Sequence, residues 1–292
     1  MRTTAILNLK GGVGKTATTV NMAAILAADY HKRVLVVDAD SQANTTEFFG
    51  GDPSAAGLSD LLRGKCKTDY NPIMLQKTDL DNVALIAADV SLMDLDLSKV
   101  ESGSVETPCL RELRDILERR TTWEDPRLQV IMGLPYDYML IDCPPAFNAA
   151  CAAALLAADD VIIPIKLDAF SLRGMANLMR QIQNMRAINP GLKLAGLLPT
   201  MIYKSEKISA ALETLRASDL FVFPGIRKTN KVDDMTFAQR PLIESSPKSA
   251  ACIDYRRFVG AYVAQEGGKD RGASVTHRRR THGTMKGGAN NG

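Results

Sequence analysis

Residues Lys10 to Thr16 read Lys-Gly-Gly-Val-Gly-Lys-Thr and follow directly on the apolar run Ala5, Ile6, Leu7. Three glycines let the backbone fold so that successive N–H groups point inward at an anion, and a helix starting there adds its positive N-terminal end. The chemistry is phosphate binding. Gly11, Gly12, Val13, Gly14, Lys15, Thr16 and Ala17 make the cradle; Lys15 reaches the β- and γ-phosphates, and Thr16 offers a hydroxyl to Mg²⁺. The general pattern asks for glycine five residues before Gly14, and Leu9 stands there instead. In its place the chain carries a second lysine, Lys10, at the mouth of the loop. Lys15 already serves the phosphates of this loop, so a second cation beside it costs repulsion unless it serves other charge.

Three carboxylates have the spacing to complete such a site. Asp38 and Asp40 end the apolar run Val34 to Val37 in the segment Asp-Ala-Asp-Ser-Gln-Ala-Asn-Thr. Residues two apart on extended backbone point the same way, so both can face the phosphates. An isolated Asp-x-Asp is more often a solvated loop or a helix cap; here the strand before it is the one expected beside the phosphate loop. Asp142 ends a second apolar run, Tyr138 to Ile141, and is followed by Cys143 and the pair Pro144-Pro145. An acid there holds Mg²⁺ through water, and the two prolines stiffen the segment behind it.

The elements that position these groups alternate. A strand from about Thr3 to Leu9, a helix from Lys15 to about Ala28 with Val20, Ala23, Ala24 and Ala27 on one face, and a strand at Val34 to Val37 make a βαβ unit within forty residues. Continuous apolar strands suit a parallel sheet buried on both faces. Further strands are expected at 83–87, 138–141, 161–165, 192–199 and 220–223, with helices at 58–62, 110–120, 149–158, 172–188, 209–216 and 248–264. The fold class that follows is α/β: a doubly wound, mostly parallel sheet with helices on both faces, of the P-loop NTPase kind. The domain is expected over residues 1–265, and 266–292, polar and rich in glycine, as a disordered basic C-terminal tail.

Composition agrees with a globular chain, 46% hydrophobic and 24% charged. No stretch reaches the roughly 18 to 20 apolar residues of a membrane span, and the chain opens directly on a strand, so a cytoplasmic protein is expected. Cys66, Cys109, Cys143, Cys151 and Cys252 show no metal or redox spacing and read as reduced thiols. The net charge of +3 is concentrated in the tail, where six basic side chains meet two acidic ones. Attraction of the folded part to a polyanion must therefore come from local patches.

The lysine at position 10, the Asp-x-Asp-x-Gln-x-Asn segment from Asp38 and the Asp-Cys-Pro-Pro from Asp142 resemble the ParA/MinD class of deviant Walker-A ATPases, over about residues 3 to 262. The resemblance implies that Asp40 positions the attacking water, that Asp38 and Asp142 support the Mg²⁺ shell with Thr16, and that Lys10 crosses a dimer interface to the phosphates of the partner's ATP. Lys10, Lys15 and Asp40 are then the catalytic set, and a homodimer forms on ATP binding. Thr200, Met201 and Ile226 fall where partition ATPases form the adenine pocket, although the family's Ile-Pro-Arg-Asn is replaced by Ile226-Arg227-Lys228-Thr229. Lys204, Lys207, Arg227, Lys228, Lys231 and Lys248 fall near that family's DNA-binding face and would hold phosphates without reading bases; scattered solvated lysines are the alternative.

What the resemblance implies is a DNA-partition ATPase that uses ATP and Mg²⁺, binds non-specific DNA as a dimer, is stimulated by a ParB-like centromere-binding partner and associates with the nucleoid. The absence of an N-terminal extension resembles the smaller partition ATPases. A MinD-like membrane-positioning ATPase is the alternative, but that class ends in an amphipathic helix and this tail has no apolar stripe. An iron–sulfur protein on the same fold is a third reading, and it lacks the cysteine contexts such proteins use.

Overall fold

The structure is a computed structural model that describes residues 1–64, 74–98, 106–119 and 135–277. Among them one sheet is built from β1 (Arg2–Ile6), β2 (Val34–Asp38), β3 (Gln76–Lys77), β4 (Val83–Ile86), β5 (Tyr138–Asp142), β6 (Asp160–Lys166) and β7 (Lys193–Thr200). The strands lie in the order β3-β4-β2-β5-β1-β6-β7. All pairings are parallel except the two-residue edge strand β3, which runs antiparallel to β4.

The helices are α1 (Lys15–Tyr30), α2 (Asn44–Phe48), α3 (Leu58–Leu62), α4 (Cys109–Arg119), α5 (Ala149–Ala157), α6 (Ala169–Met185), α7 (Glu206–Arg216), α8 (Asn230–Ala238), α9 (Leu242–Ser245) and α10 (Ala250–His277). Successive strand side chains point to opposite faces, and both faces are covered. Leu35 and Val37 pack with α3 to α7, whereas Val34 and Val36 pack with α1, α2 and α8 to α10. The apolar runs that suggested buried strands are therefore continuous because each residue has a helix above or below it.

β1 sits between β5 and β6, and the chain leaves it through α1 to reach β2 on one side and later β6 on the other. That reversal opens a crevice at the carboxyl ends of the strands. The phosphate loop, Asp38 and Asp142 all lie at this edge, because Ile6, Asp38 and Asp142 stand in register across β1, β5 and β2.

Some boundaries move. The strand expected at 220–223 is a single parallel bridge, Leu197 to Val222, because Pro224 has no N–H to continue the ladder. The last helix, expected to end near Ala264, continues through Gly267-Gly268 to His277. Each glycine costs a helix about 1 kcal/mol relative to alanine, which weakens the segment without breaking it. Residues 278–292 lie outside the described residues. Helices α2, α8 and α9 were not expected from the sequence. Cys109, Cys143, Cys151 and Cys252 are buried free thiols. Cys66 and the helix end near Trp123 fall outside the described residues.

Candidate functional site

The phosphate loop has the backbone that its glycines require. Gly12 and Gly14 have φ of 68° and 89°, left-handed values that side chains with a Cβ avoid. A Cβ added at Gly11 or Gly12 would meet nothing within 4 Å, so these residues border open space of the kind a phosphate fills. Gly14 caps α1, and the Thr18 N–H bonds back to its carbonyl at 2.9 Å. The Val13 carbonyl accepts from the Thr200 hydroxyl at 2.9 Å, which ties the crown of the loop to the end of β7. Asn8 fixes the entry: its Oδ1 accepts from the Lys10 N–H at 3.0 Å while its Nδ2 donates to the Pro164 carbonyl at 2.8 Å.

The two lysines have separate settings. Lys15 is only 8% exposed, and its ammonium donates to the Lys10 carbonyl at 3.3 Å, under the loop. The Lys10 ammonium lies at the rim and pairs with both carboxylate oxygens of Asp168, at 2.7 and 2.8 Å. Asp168, just beyond β6, is a residue that sequence reasoning missed.

The acidic groups divide their work. Oδ2 of Asp142 accepts from the Thr16 hydroxyl and from the Thr45 hydroxyl, each at 2.6 Å. Its other oxygen, Oδ1, is buried without a hydrogen-bond partner, and the residue is 1% exposed. An orphaned carboxylate oxygen beside a loop threonine is a donor set that suits a hard divalent cation. Both oxygens of Asp38 have protein donors: Oδ2 takes the Thr46 N–H and hydroxyl at 2.8 Å each, and Oδ1 takes the Asp40 N–H at 3.1 Å. Burial, and then the neighbouring Asp142, push the Asp38 carboxyl up to about 7. Burial likewise raises Asp142 to about 6, against the lowering effect of the Thr16 and Thr45 hydroxyls. Asp40 is half-buried at the crevice rim, and its Oδ1 accepts from the Gln42 N–H at 3.1 Å. Thr45 and Thr46 were also missed; nothing in Asn-Thr-Thr distinguishes them from an ordinary helix start.

The residues suggested for adenine gather at the end of β7. Thr200 is buried and its hydroxyl is committed to the loop; Met201 has a left-handed φ of 55°; Ile226 is buried, its N–H on the Pro199 carbonyl and its carbonyl accepting from the Ile202 N–H. A parallel bridge between Ile202 and Arg227 brings the segment before Lys204 beside the one that holds Lys228. Lys204, Lys207, Lys228 and Lys248 are exposed. Arg227 is exposed too, but its guanidinium clamps the buried Asp254 of α10 at 2.7 and 2.9 Å, so it acts as an internal tie. Lys231 pairs with Asp234 at 2.8 Å. No helix among the described residues is long and apolar enough to cross a membrane.

A protein-family description, AAA domain, matches residues 1–194. The chromosome partitioning protein ParA of Caulobacter vibrioides is 32% identical over 281 residues, which span 94% of this chain and 98% of that protein. The chromosome-partitioning ATPase Soj of Thermus thermophilus is 29% identical over 91% of this chain and 96% of its own length. Among solved structures, cobyrinic acid a,c-diamide synthase from Mycobacterium smegmatis with bound ADP and magnesium superposes with a TM-score of 0.70 at 28% identity, covering 92% of this chain and 96% of that one.

Proposed function

The chain belongs to the ParA-type family of P-loop ATPases, and from that premise we propose that it is a DNA-partition ATPase whose ATP-bound dimer holds non-specific DNA and releases it on hydrolysis. The observation that carries the reading is the division between the two loop lysines. Lys15 lies under its own loop, whereas Lys10 is held at the rim, where it can serve phosphates that its own subunit does not bind.

ATP binds with its phosphates over Gly11 to Thr16, where inward N–H groups, the start of α1 and Lys15 meet the negative charge. The Thr16 hydroxyl and the Asp142 carboxylate would hold Mg²⁺, which would supply charge neutralisation to the phosphates. Asp40 accepts a hydrogen bond from the attacking water and aims it at the γ-phosphorus; the water's oxygen bonds to phosphorus as the bond to the β-phosphate oxygen breaks, ADP leaves with that oxygen, and the water's proton passes to the released phosphate. Asp38 supports the segment that carries Asp40, its oxygens partnered by Thr46 and by the Asp40 N–H. Lys10 of each subunit leaves Asp168 for the other's phosphates, which links dimer assembly to nucleotide. Slow turnover alone and stimulation by a ParB-like partner accord with a site in which Asp40 is rim-placed.

Lys204, Lys207, Lys228 and Lys248 supply phosphate contacts to DNA without base readout. A DNA-binding titration with ATP, with ADP and without nucleotide tests the reading. Tight binding with ATP alone is expected; equal affinity in all three conditions would exclude it.

A further inference from the structure

We propose that Thr45 is a positioning residue, tying the arc that carries Asp40 to the Asp142 carboxylate so that the water-orienting group is set only when the metal side of the site is in order. The proposal rests on the roles given above to Asp40 and Asp142. Two adjacent threonines in the first turn of α2 take two different acids. The Thr45 hydroxyl donates to Asp142 Oδ2 at 2.6 Å, and the Thr46 N–H and hydroxyl donate to Asp38 Oδ2 at 2.8 Å each. Thr46 Oγ1 also accepts from the Ala88 N–H at 2.9 Å, which locks it to the end of β4.

Between these anchors runs the arc 39–44. Its start is fixed where the Ala39 N–H donates to the Asp142 carbonyl at 2.9 Å, and its bend where the Ala43 N–H donates to the Asp40 carbonyl at 2.8 Å. Ala43 stands at φ 52°, a strained value for a residue with a Cβ, so something beyond local preference holds the bend. The Thr45 hydroxyl is one candidate, and it reports on a particular atom. Asp142 Oδ2 also accepts from Thr16, and Oδ1 of the same carboxylate is the buried oxygen left without a hydrogen-bond partner. A hydroxyl has one proton, so Thr45 cannot hold Asp142 and another acceptor together. A rotation of the Asp142 carboxylate is therefore passed to α2 and, through the bend at Ala43, to Asp40.

Thr45→Val keeps the shape and removes the donor, and Thr45→Ser keeps the donor. Removing such an outer hydrogen bond to a metal-holding carboxylate costs about 10- to 100-fold in turnover or metal affinity. For Thr45→Val, ATP turnover is expected to fall by that factor with KM little changed, and Thr45→Ser to restore it. Amide hydrogen exchange supplies a readout independent of turnover. In the native chain, Mg²⁺–ADP should slow exchange across residues 40–47. Thr45→Val should lose that slowing while residues 12–16 remain protected by nucleotide. Native turnover in Thr45→Val, or unaltered nucleotide-linked protection of 40–47, overturns the proposal. If the valine variant does not fold, the native exchange pattern decides: no slowing across 40–47 overturns it equally. Failure of the underlying reading is separate, since it shows as native turnover in Asp40→Ala whatever Thr45 does.

Discussion

The ammonium of Lys10 and the carboxylate of Asp168 form a two-oxygen ion pair across 158 residues of sequence, at the rim of the phosphate loop. The two side chains are 36% and 28% exposed, and a pair so open to solvent is worth no more than about 1 kcal/mol. Such a weak bond can hold Lys10 in the lone subunit and still yield it. Asp168→Asn should leave the thermal midpoint nearly unchanged and let ATP-dependent dimers form at lower protein concentration, whereas Lys10→Ala should stay monomeric with ATP. Size-exclusion chromatography with ATP separates the two; a Lys10→Ala dimer of normal abundance defeats the role given to this lysine.

In the proposed mechanism Asp40 orients the attacking water, and a positioned acid–base group contributes about 10²- to 10⁴-fold to a rate. Asp40→Ala should lose turnover by that order, retain nucleotide, and accumulate as an ATP-bound dimer that stays on DNA. Phosphate release together with a gel-shift assay checks both halves of the expectation.

Asp38 and Asp142 stand in register on neighbouring strands, and burial raises both carboxyls, to about 7 and about 6. Because the folded chain binds these protons more tightly than the unfolded one, their contribution to stability is complete below about pH 4 and is lost as pH rises through 6 to 7. The nucleotide-free protein should therefore melt at lower temperature at pH 8 than at pH 5.5. Asp38→Asn should flatten that slope, and Mg²⁺–ADP should oppose it by favouring the ionised Asp142. Circular-dichroism melts across this range suffice, and an identical slope in Asp38→Asn refutes the assignment.

Arg227 and Lys228 are neighbours with different duties. Without the Arg227 guanidinium, the buried Asp254 keeps, among the described residues, Arg257 at 4.0 Å as its cation. Arg227→Ala should therefore lower the thermal midpoint, whereas Lys228→Ala should leave it in place and reduce the salt slope of DNA binding by about 1. Melting curves and binding isotherms at several salt concentrations distinguish them; an unchanged midpoint in Arg227→Ala means that the clamp carries no stability.

The loop, Asp142 and the alternation of strands and helices were legible because each is local: a run of glycines, an acid ending an apolar run, a continuous apolar run or a period of 3.6. Asp168 was not, since its meeting with Lys10 depends on β6 lying beside β1, and no spacing records that adjacency. Arg227 read as a phosphate contact for a similar reason. An exposed cation bears no mark of a buried partner 27 residues away. Thr45 and Thr46 stayed hidden because hydroxyls at a helix start are ordinary, and their acids are named only by the packing of α2 against the sheet edge.

The last helix carries a consequence for how the chain comes off the ribosome. α10 covers α1 through Tyr255, Phe258, Val259 and Tyr262, all buried, and the Tyr262 hydroxyl is hydrogen-bonded to Thr4 at 2.5 Å, 258 positions away. A nascent chain that has not yet produced residue 250 therefore leaves one flank of the phosphate-loop helix, with Met22 and Leu26, uncovered. Closure of such a distant contact is slow, and exposed apolar surface invites association in the interval. Full cover of the phosphate-loop helix is therefore reached only once residues 250–262 have been made.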